Sequence, residues 1–169
     1  FTEGAFLKWS YEVAREPEFA ERVVTEEELG TKYGWKLPEG KILVKDRIAD
    51  NMLQQTKIAP ERYGVLVTPN LNGDYLSDDL AALVGGLGIA PGANIGDHGA
   101  LFEATHGVAP DITGQNKANP SSLLLSGAMM LDYMGWSEAN NLVHASLNQA
   151  FKAKVVTGDF RKLEGAQVV

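Results

Sequence analysis

The sequence predicts a globular chain of mixed helices and strands, and three features predict it. Short apolar runs of strand character, such as Val65-Leu66-Val67 and Ile42-Leu43-Val44, sit between longer stretches of helical periodicity. The helical stretches carry their own start and stop residues, polar caps in front and glycine behind. Glycine-rich joints connect the two kinds of element, and the richest packs five glycines into the twelve residues from Gly85 to Gly96.

Taken in order, Thr2-Glu3 predicts a helix from about Gly4 to Arg15, with Ala5, Phe6, Trp9 and Val13 on its apolar face. Glu16 to Tyr33 is charged and weakly periodic, which predicts loop with one short strand at Val23-Val24. Trp35-Lys36-Leu37 and Ile42-Leu43-Val44 flank Pro38-Glu39-Gly40 and read as a hairpin. Asp46 opens a helix from Arg47 to about Lys57, with Ile48, Met52 and Leu53 on one side. Val65-Leu66-Val67 reads as a buried strand that ends in a tight turn at Asn72-Gly73, and a helix continues through Leu80-Ala81-Ala82-Leu83-Val84. Leu101-Phe102 begins a strand that passes into a polar loop. Asn119-Pro120 opens a helix that is apolar nearly all round (Leu123, Leu124, Leu125, Met129, Met130, Leu131, Met134) and ends at Gly135, which predicts burial. Ser137 caps the last long helix, to about Lys154, with Leu142, Val143, Leu147 and Phe151 inward.

Composition narrows the functions. The 169 residues are 44% hydrophobic and 22% charged, as in a globular chain. A net charge of -7 and the lack of any dense Lys/Arg cluster speak against nucleic acid as a partner. No run reaches membrane-spanning length and no signal peptide is visible; the absence of cysteine excludes disulfides and thiolate metal sites and fits a cytoplasmic protein. The chain opens on Phe1 without Met, which suggests a fragment.

Asp74 and Asp78 are four apart across a helix start, so both carboxylates can project to one side. Two hard oxygen donors so placed suit Mg²⁺ or Mn²⁺, although acidic residues also serve as plain helix caps. Asp50 lies near the apolar edge of its helix, where a solvated surface role is the ordinary one. The Gly85–Gly96 stretch permits left-handed turns and close approach to a ligand, or is simply a flexible joint; it is not the dinucleotide fingerprint, because Pro91 stands where the sixth position needs Gly or Ala. His98, Glu103 and His106 match no common zinc spacing.

Three motifs occur together and in order: Asn70-Leu71-Asn72-Gly73-Asp74-Tyr75-Leu76-Ser77-Asp78, Ala90-Pro91-Gly92-Ala93-Asn94-Ile95-Gly96-Asp97 and Phe102-Glu103-Ala104-Thr105-His106-Gly107. In these, and over nearly its whole length, the chain resembles the bacterial isocitrate dehydrogenases of the β-decarboxylating (isocitrate–isopropylmalate) dehydrogenase family. The isopropylmalate branch usually lacks the Asn72/Tyr75 pair and the Ala-Pro-Gly-Ala-Asn-Ile-Gly wording.

The resemblance implies a two-domain α/β fold of which this chain covers the C-terminal part. Residues 1–84 would belong to the small domain and dimer interface, and residues 85–169 to the large, dinucleotide-binding domain. It implies oxidative decarboxylation of isocitrate to 2-oxoglutarate, a step of the tricarboxylic acid cycle, by a homodimer. The enzymatic alternatives are homoisocitrate or isopropylmalate oxidation; the non-catalytic one is a regulatory subunit of the same fold. Asp74 and Asp78 would bind Mg²⁺ or Mn²⁺ with Asp50 supplied across the dimer interface. Glu103 and Thr105 would lie toward the nicotinamide, Gly107 in the binding loop, and His106 and Asn119 at the adenosine end. Asp111-Ile112 replaces the Lys-Tyr pair usual in phosphate-preferring enzymes, and Gly158 and Lys162 stand at two further positions that are usually Tyr and Arg. This implies NAD over NADP. The family's catalytic Lys and Tyr are expected upstream of Phe1, so the segment alone is expected to be inactive.

Overall fold

The computed structural model describes residues 2–169 and divides into two compact units, Phe1–Leu76 and Ser77–Val169. Its elements are helices α1 (Thr2–Ala14), α2 (Pro17–Ala20), α3 (Glu26–Tyr33), α4 (Ala49–Ile58), α5 (Asn70–Val84), α6 (Ser121–Tyr133) and α7 (Ser137–Lys152), and strands β1 (Val23–Thr25), β2 (Ile42–Val44), β3 (Pro91–Gly96), β4 (Gly99–Ala104), β5 (Val155–Val156) and β6 (Gln167–Val168).

In the first unit, β1 and β2 pair in parallel, Val23 with Ile42 through Thr25 with Val44. The expected 35–44 hairpin is therefore absent. Gly34 and Trp35 both lie in the left-handed region (φ 55 and 65), which reverses the chain after α3 and carries it away from any strand. The charged 16–33 stretch is largely helical rather than loop. Thr25 starts α3: its Oγ1 accepts from the Glu28 N–H (3.3 Å), and the Glu28 carboxylate accepts from the Thr25 N–H (3.1 Å), a reciprocal capping box. This spacing was readable in the sequence and was outweighed by charge. Lys32 donates to Glu28 at 2.9 Å from one turn on. That bond, reinforced by the Thr25 N–H, pulls the Glu28 carboxyl down to about 2.

Helix α1 forms where expected, but Trp9 is 61% exposed and the half-buried side is Ala5, Phe6, Ser10 and Ala14. Helix α4 starts at Ala49, later than predicted, because Asp46 and Arg47 are engaged elsewhere. Asp46 accepts from the Tyr11 hydroxyl (2.8 Å), and Arg47 makes a two-pronged bridge to Glu26 (2.8 and 2.7 Å). Burial and the Asp46 carboxylate push the Tyr11 phenol up to about 12.

Val65-Leu66-Val67 is not a buried strand: Val65 and Val67 are 85% and 72% exposed, and no strand among the described residues pairs with them. The Asn72-Gly73 turn is also absent, since both residues lie inside α5. Gly73 donates to the Pro69 carbonyl (2.9 Å), and a Cβ there would come within 2.6 Å of Thr68 Oγ1, so the glycine leaves room for the chain entering the helix.

The second unit is built on the antiparallel hairpin β3–β4, with Pro91 opposite Ala104 and Gly96 opposite Gly99. Helix α6 packs on both strands, though it is not buried all round as expected. Ser121, Ser122, Ser126 and Ala128 are buried, while Leu123 is 62% exposed and Leu124, Met129, Met130 and Met134 are also exposed. The hairpin backbone presents groups that need partners, and serines reach them. Ser122 Oγ donates to the Ala90 carbonyl, and Ser126 Oγ lies 2.8 Å from the Glu103 carbonyl and accepts from the Gly92 N–H (3.2 Å). Helix α7 packs along α6; Val143, Leu147 and Phe151 are half-buried, whereas Leu142, predicted inward, is exposed. Strands β5 and β6 pair in parallel within the stretch after α7.

Two outcomes check this packing. Thr25→Ala removes one side of the capping box and lowers stability by about 1 kcal/mol in denaturant melts. Glu28 has a depressed folded pKa, so its contribution is complete above the ordinary value of 4.5 and is lost as pH falls from there toward about 2; Thr25→Ala keeps the Lys32 and Thr25 N–H contacts of that carboxylate, so the gap between the variant and the parent persists in acid melts. In Gly92→Ala the new Cβ lies 2.8 Å from the Glu103 carbonyl oxygen, so the hairpin must shift, at a cost of about 1–3 kcal/mol in the same melts.

Candidate active site

Helix α5 carries Asp74 and Asp78 one turn apart on the same side, and both residues are exposed. The pair thus has the disposition read from its spacing. Asp50 lies in the first turn of α4, exposed, with its carboxylate accepting from the Asn51 N–H at 2.5 Å. A carboxylate there is favoured by the helix N-terminus. Among the described residues no three Asp, Glu, His or Cys side chains gather tightly enough to hold an ion. The donors are of the right type for Mg²⁺ or Mn²⁺, since exposed carboxylates are hard oxygen ligands. Asp74 and Asp78 present two such carboxylates on one side of α5.

The expected dinucleotide residues all fall on β4 and the single connection from it to α6. Glu103 and Thr105 alternate with half-buried Phe102 and Ala104, so both stand on the exposed side. Asn94 of β3 donates to the Glu103 carboxylate (2.9 Å), which holds that side chain along the hairpin. Thr105 Oγ1 donates to the Ala90 carbonyl (3.0 Å). His106 and Gly107 follow on exposed backbone, with His106 Nδ1 2.9 Å from the Gly107 carbonyl. Asp111 and Ile112 lie in a 3₁₀ turn, Pro110–Ile112, entered through Ala109 at φ 42. A non-glycine residue in that region is uncommon. Asp111 is exposed, and its backbone carbonyl accepts from the Gln115 side chain at 2.7 Å.

Asn119 ends the connection. Pro120, expected at the first helical position, stands just ahead of α6, and the Asn119 side chain performs the capping: Oδ1 accepts from the Ser121 N–H at 2.9 Å. Its Nδ2 donates to Asp159 Oδ2 at 2.8 Å. The sequence reading missed Asn94 and Asp159 as supports of this loop. The cross-strand offset of Asn94 from Glu103 was available once the hairpin was recognised; for Asp159, 40 residues from Asn119, no local signal exists.

The glycine-rich joint resolves into a built corner. Gly85 and Gly86 adopt φ 134 and 103, a 3₁₀ turn spans Leu87–Ile89, and the remainder becomes β3. A Cβ on Gly85 would come 2.8 Å from the Phe160 ring, and one on Gly88 3.0 Å from Asn119 Cβ. These glycines admit neighbouring side chains rather than a phosphate.

Comparison with known proteins places the chain. A family model described as isocitrate/isopropylmalate dehydrogenase matches residues 13–168. Isocitrate dehydrogenase [NADP] of Archaeoglobus fulgidus is 53% identical over 169 residues, all of this chain and 41% of that protein. Isocitrate dehydrogenase [NADP] of Pseudomonas aeruginosa is 55% identical over 172 residues, again all of this chain and 40% of that protein. The crystal structure of isocitrate dehydrogenase from Methylococcus capsulatus superposes with a TM-score of 0.70 at 34% identity, covering 92% of this chain and 49% of its own. The chain spans about two fifths of the length of these curated relatives, at 41% and 40%. With paired acids on one helix and a polar loop between hairpin and helix, and with relatives above half identity, the chain belongs to the isocitrate/isopropylmalate dehydrogenase family.

Proposed function

We propose that this chain supplies the metal-binding and dinucleotide-binding part of an enzyme that oxidatively decarboxylates isocitrate to 2-oxoglutarate. The observation that carries the reading is the Asp74/Asp78 pair, exposed one turn apart on α5, in a chain where the whole expected dinucleotide set falls on β4 and the connection from it to α6. Residues 1–84 form part of the small domain and dimer interface, and 85–169 the C-terminal part of the large domain. In a C₂ dimer each site takes Asp74 and Asp78 from one protomer and Asp50 of the partner subunit. The exposed position of Asp50 at the start of α4 supports that sharing, as does the exposure of Ile48 and Ile58 at the two ends of the helix.

When bound, a divalent ion there polarises the substrate's hydroxyl and carboxylate oxygens, and the nicotinamide accepts the hydride. The protein's own residues bind and orient. Glu103 and Thr105, both tied to β3 and its entry, flank the nicotinamide end. His106 and Asn119 contact the adenosine end, where the carboxamide is already held on both sides. Acid–base steps fall to the Lys and Tyr expected upstream.

The dinucleotide is NAD in preference to NADP. Asp111 is exposed on its 3₁₀ turn, where a carboxylate repels a 2′-phosphate and accepts from free ribose hydroxyls. The Archaeoglobus fulgidus and Pseudomonas aeruginosa relatives carry NADP in their names; the NAD assignment rests on Asp111-Ile112, Gly158 and Lys162, not on them.

Mn²⁺ titration of the complete enzyme tests the metal reading. Asp74→Asn weakens Mn²⁺ binding by at least about tenfold, the least that loss of even an outer-shell partner of a metal ligand costs; unchanged binding would contradict it. Initial rates test the dinucleotide reading: kcat/KM is higher with NAD than with NADP, and Asp111→Lys moves the ratio toward NADP by about tenfold, or 1.4 kcal/mol.

A further inference from the structure

We propose that Asp159 is a positioning residue that locks the Asn119 carboxamide in one of its two orientations at the adenosine end of the dinucleotide, and that Gly88 is glycine so that the two can meet. The proposal rests on the reading of Asn119 as a dinucleotide contact.

The two ends of a carboxamide have nearly the same shape but opposite hydrogen-bonding character. Asn119 faces a donor on one side, the Ser121 N–H at 2.9 Å, and an acceptor on the other, Asp159 Oδ2 at 2.8 Å. A flip would set its NH₂ against an N–H and its oxygen against a carboxylate, so one orientation is selected. That orientation leaves one N–H and one lone pair of the carboxamide to a ligand. An adenine edge takes this pair of groups from asparagine.

Asp159 is itself fixed. Its Oδ1 accepts from Thr157 Oγ1 at 2.5 Å, which commits the other oxygen to Asn119. It sits in the 3₁₀ turn Gly158–Phe160, closed by the Phe160 N–H on the Thr157 carbonyl (3.0 Å). Phe160 anchors the turn, packing edge-on to Phe151 of α7 at 5.3 Å and filling the space over Gly85. A Cβ on Gly88 would lie 3.0 Å from Asn119 Cβ and 3.1 Å from Asp159 Oδ2, tight against both members of the pair. Asp159 is exposed, and a hydrogen bond at the surface adds little to stability, so the effect of the contact falls on the orientation of Asn119.

The test is steady-state kinetics on the complete enzyme at saturating isocitrate and Mg²⁺, with Tm measured alongside. Asp159→Ala raises the KM for the dinucleotide by about tenfold and leaves kcat, isocitrate KM and Tm nearly unchanged. Asp159→Asn, whose carbonyl can still accept from Asn119, restores the parent KM. In an Asn119→Ala background Asp159→Ala adds nothing. Asn119→Ala with a raised KM but Asp159→Ala without one would overturn the role of Asp159 while leaving the Asn119 reading intact. Asn119→Ala with an unchanged KM would overturn both. An equal effect of Asp159→Ala with and without Asn119, or a fall in Tm and kcat together, would show that Asp159 does not act through Asn119.

Discussion

The hydroxyl of Ser126 is the contact on which the second unit depends. It is buried where α6 crosses the hairpin, accepts from the Gly92 N–H of β3 and lies 2.8 Å from the Glu103 carbonyl of β4. It lies at the same distance from the Ser122 carbonyl of its own helix, so its single proton has an acceptor whichever way it points. Ser122, a turn earlier, donates to Ala90. A two-stranded hairpin is marginal by itself in water. Here its backbone groups are met by helix side chains, and the residues that carry Glu103 and Thr105 are held relative to the start of α6, where Asn119 sits.

That constraint explains why burial on α6 runs opposite to hydrophobicity. The helix buries its serines because the surface opposite is peptide backbone, which must be hydrogen-bonded. Leu123, Leu124, Met129, Met130 and Met134 are left exposed, while Leu125 and Leu131 are half-buried. The same logic governs the glycines. At Gly85, Gly88 and Gly92 a methyl group would meet a ring, a carboxamide or a carbonyl. The joint that reads as flexible is a place where chains approach closely.

Local signals were legible. Helices α1, α6 and α7, the C-terminal part of α5 and a strand at Leu101-Phe102 follow from periodicity and caps, and the spacing of Asp74 and Asp78 does place them on one side of α5. Pairing was not legible. Ile42-Leu43-Val44 has strand character, but its partner is Val23-Val24-Thr25 in parallel, and the left-handed Gly34-Trp35 pair that prevents the nearer hairpin has no warning in the composition. Thr25 and Glu28 were legible in principle as a capping box. Which face of α6 is buried depends on what lies opposite, and the link from Asn119 to Asp159 depends on a turn 40 residues away; neither is a property of a local window.

The central claim is that the α6 serines clamp the hairpin and through it the loop proposed to hold the dinucleotide. Amide hydrogen exchange on the complete enzyme carrying Ser126→Ala tests it most directly. The claim predicts that protection falls at Gly92 and along β3 and β4, that the dinucleotide binds more weakly, and that Mn²⁺ with isocitrate binds as before. Unchanged protection at Gly92 in a variant that binds the dinucleotide normally would contradict it.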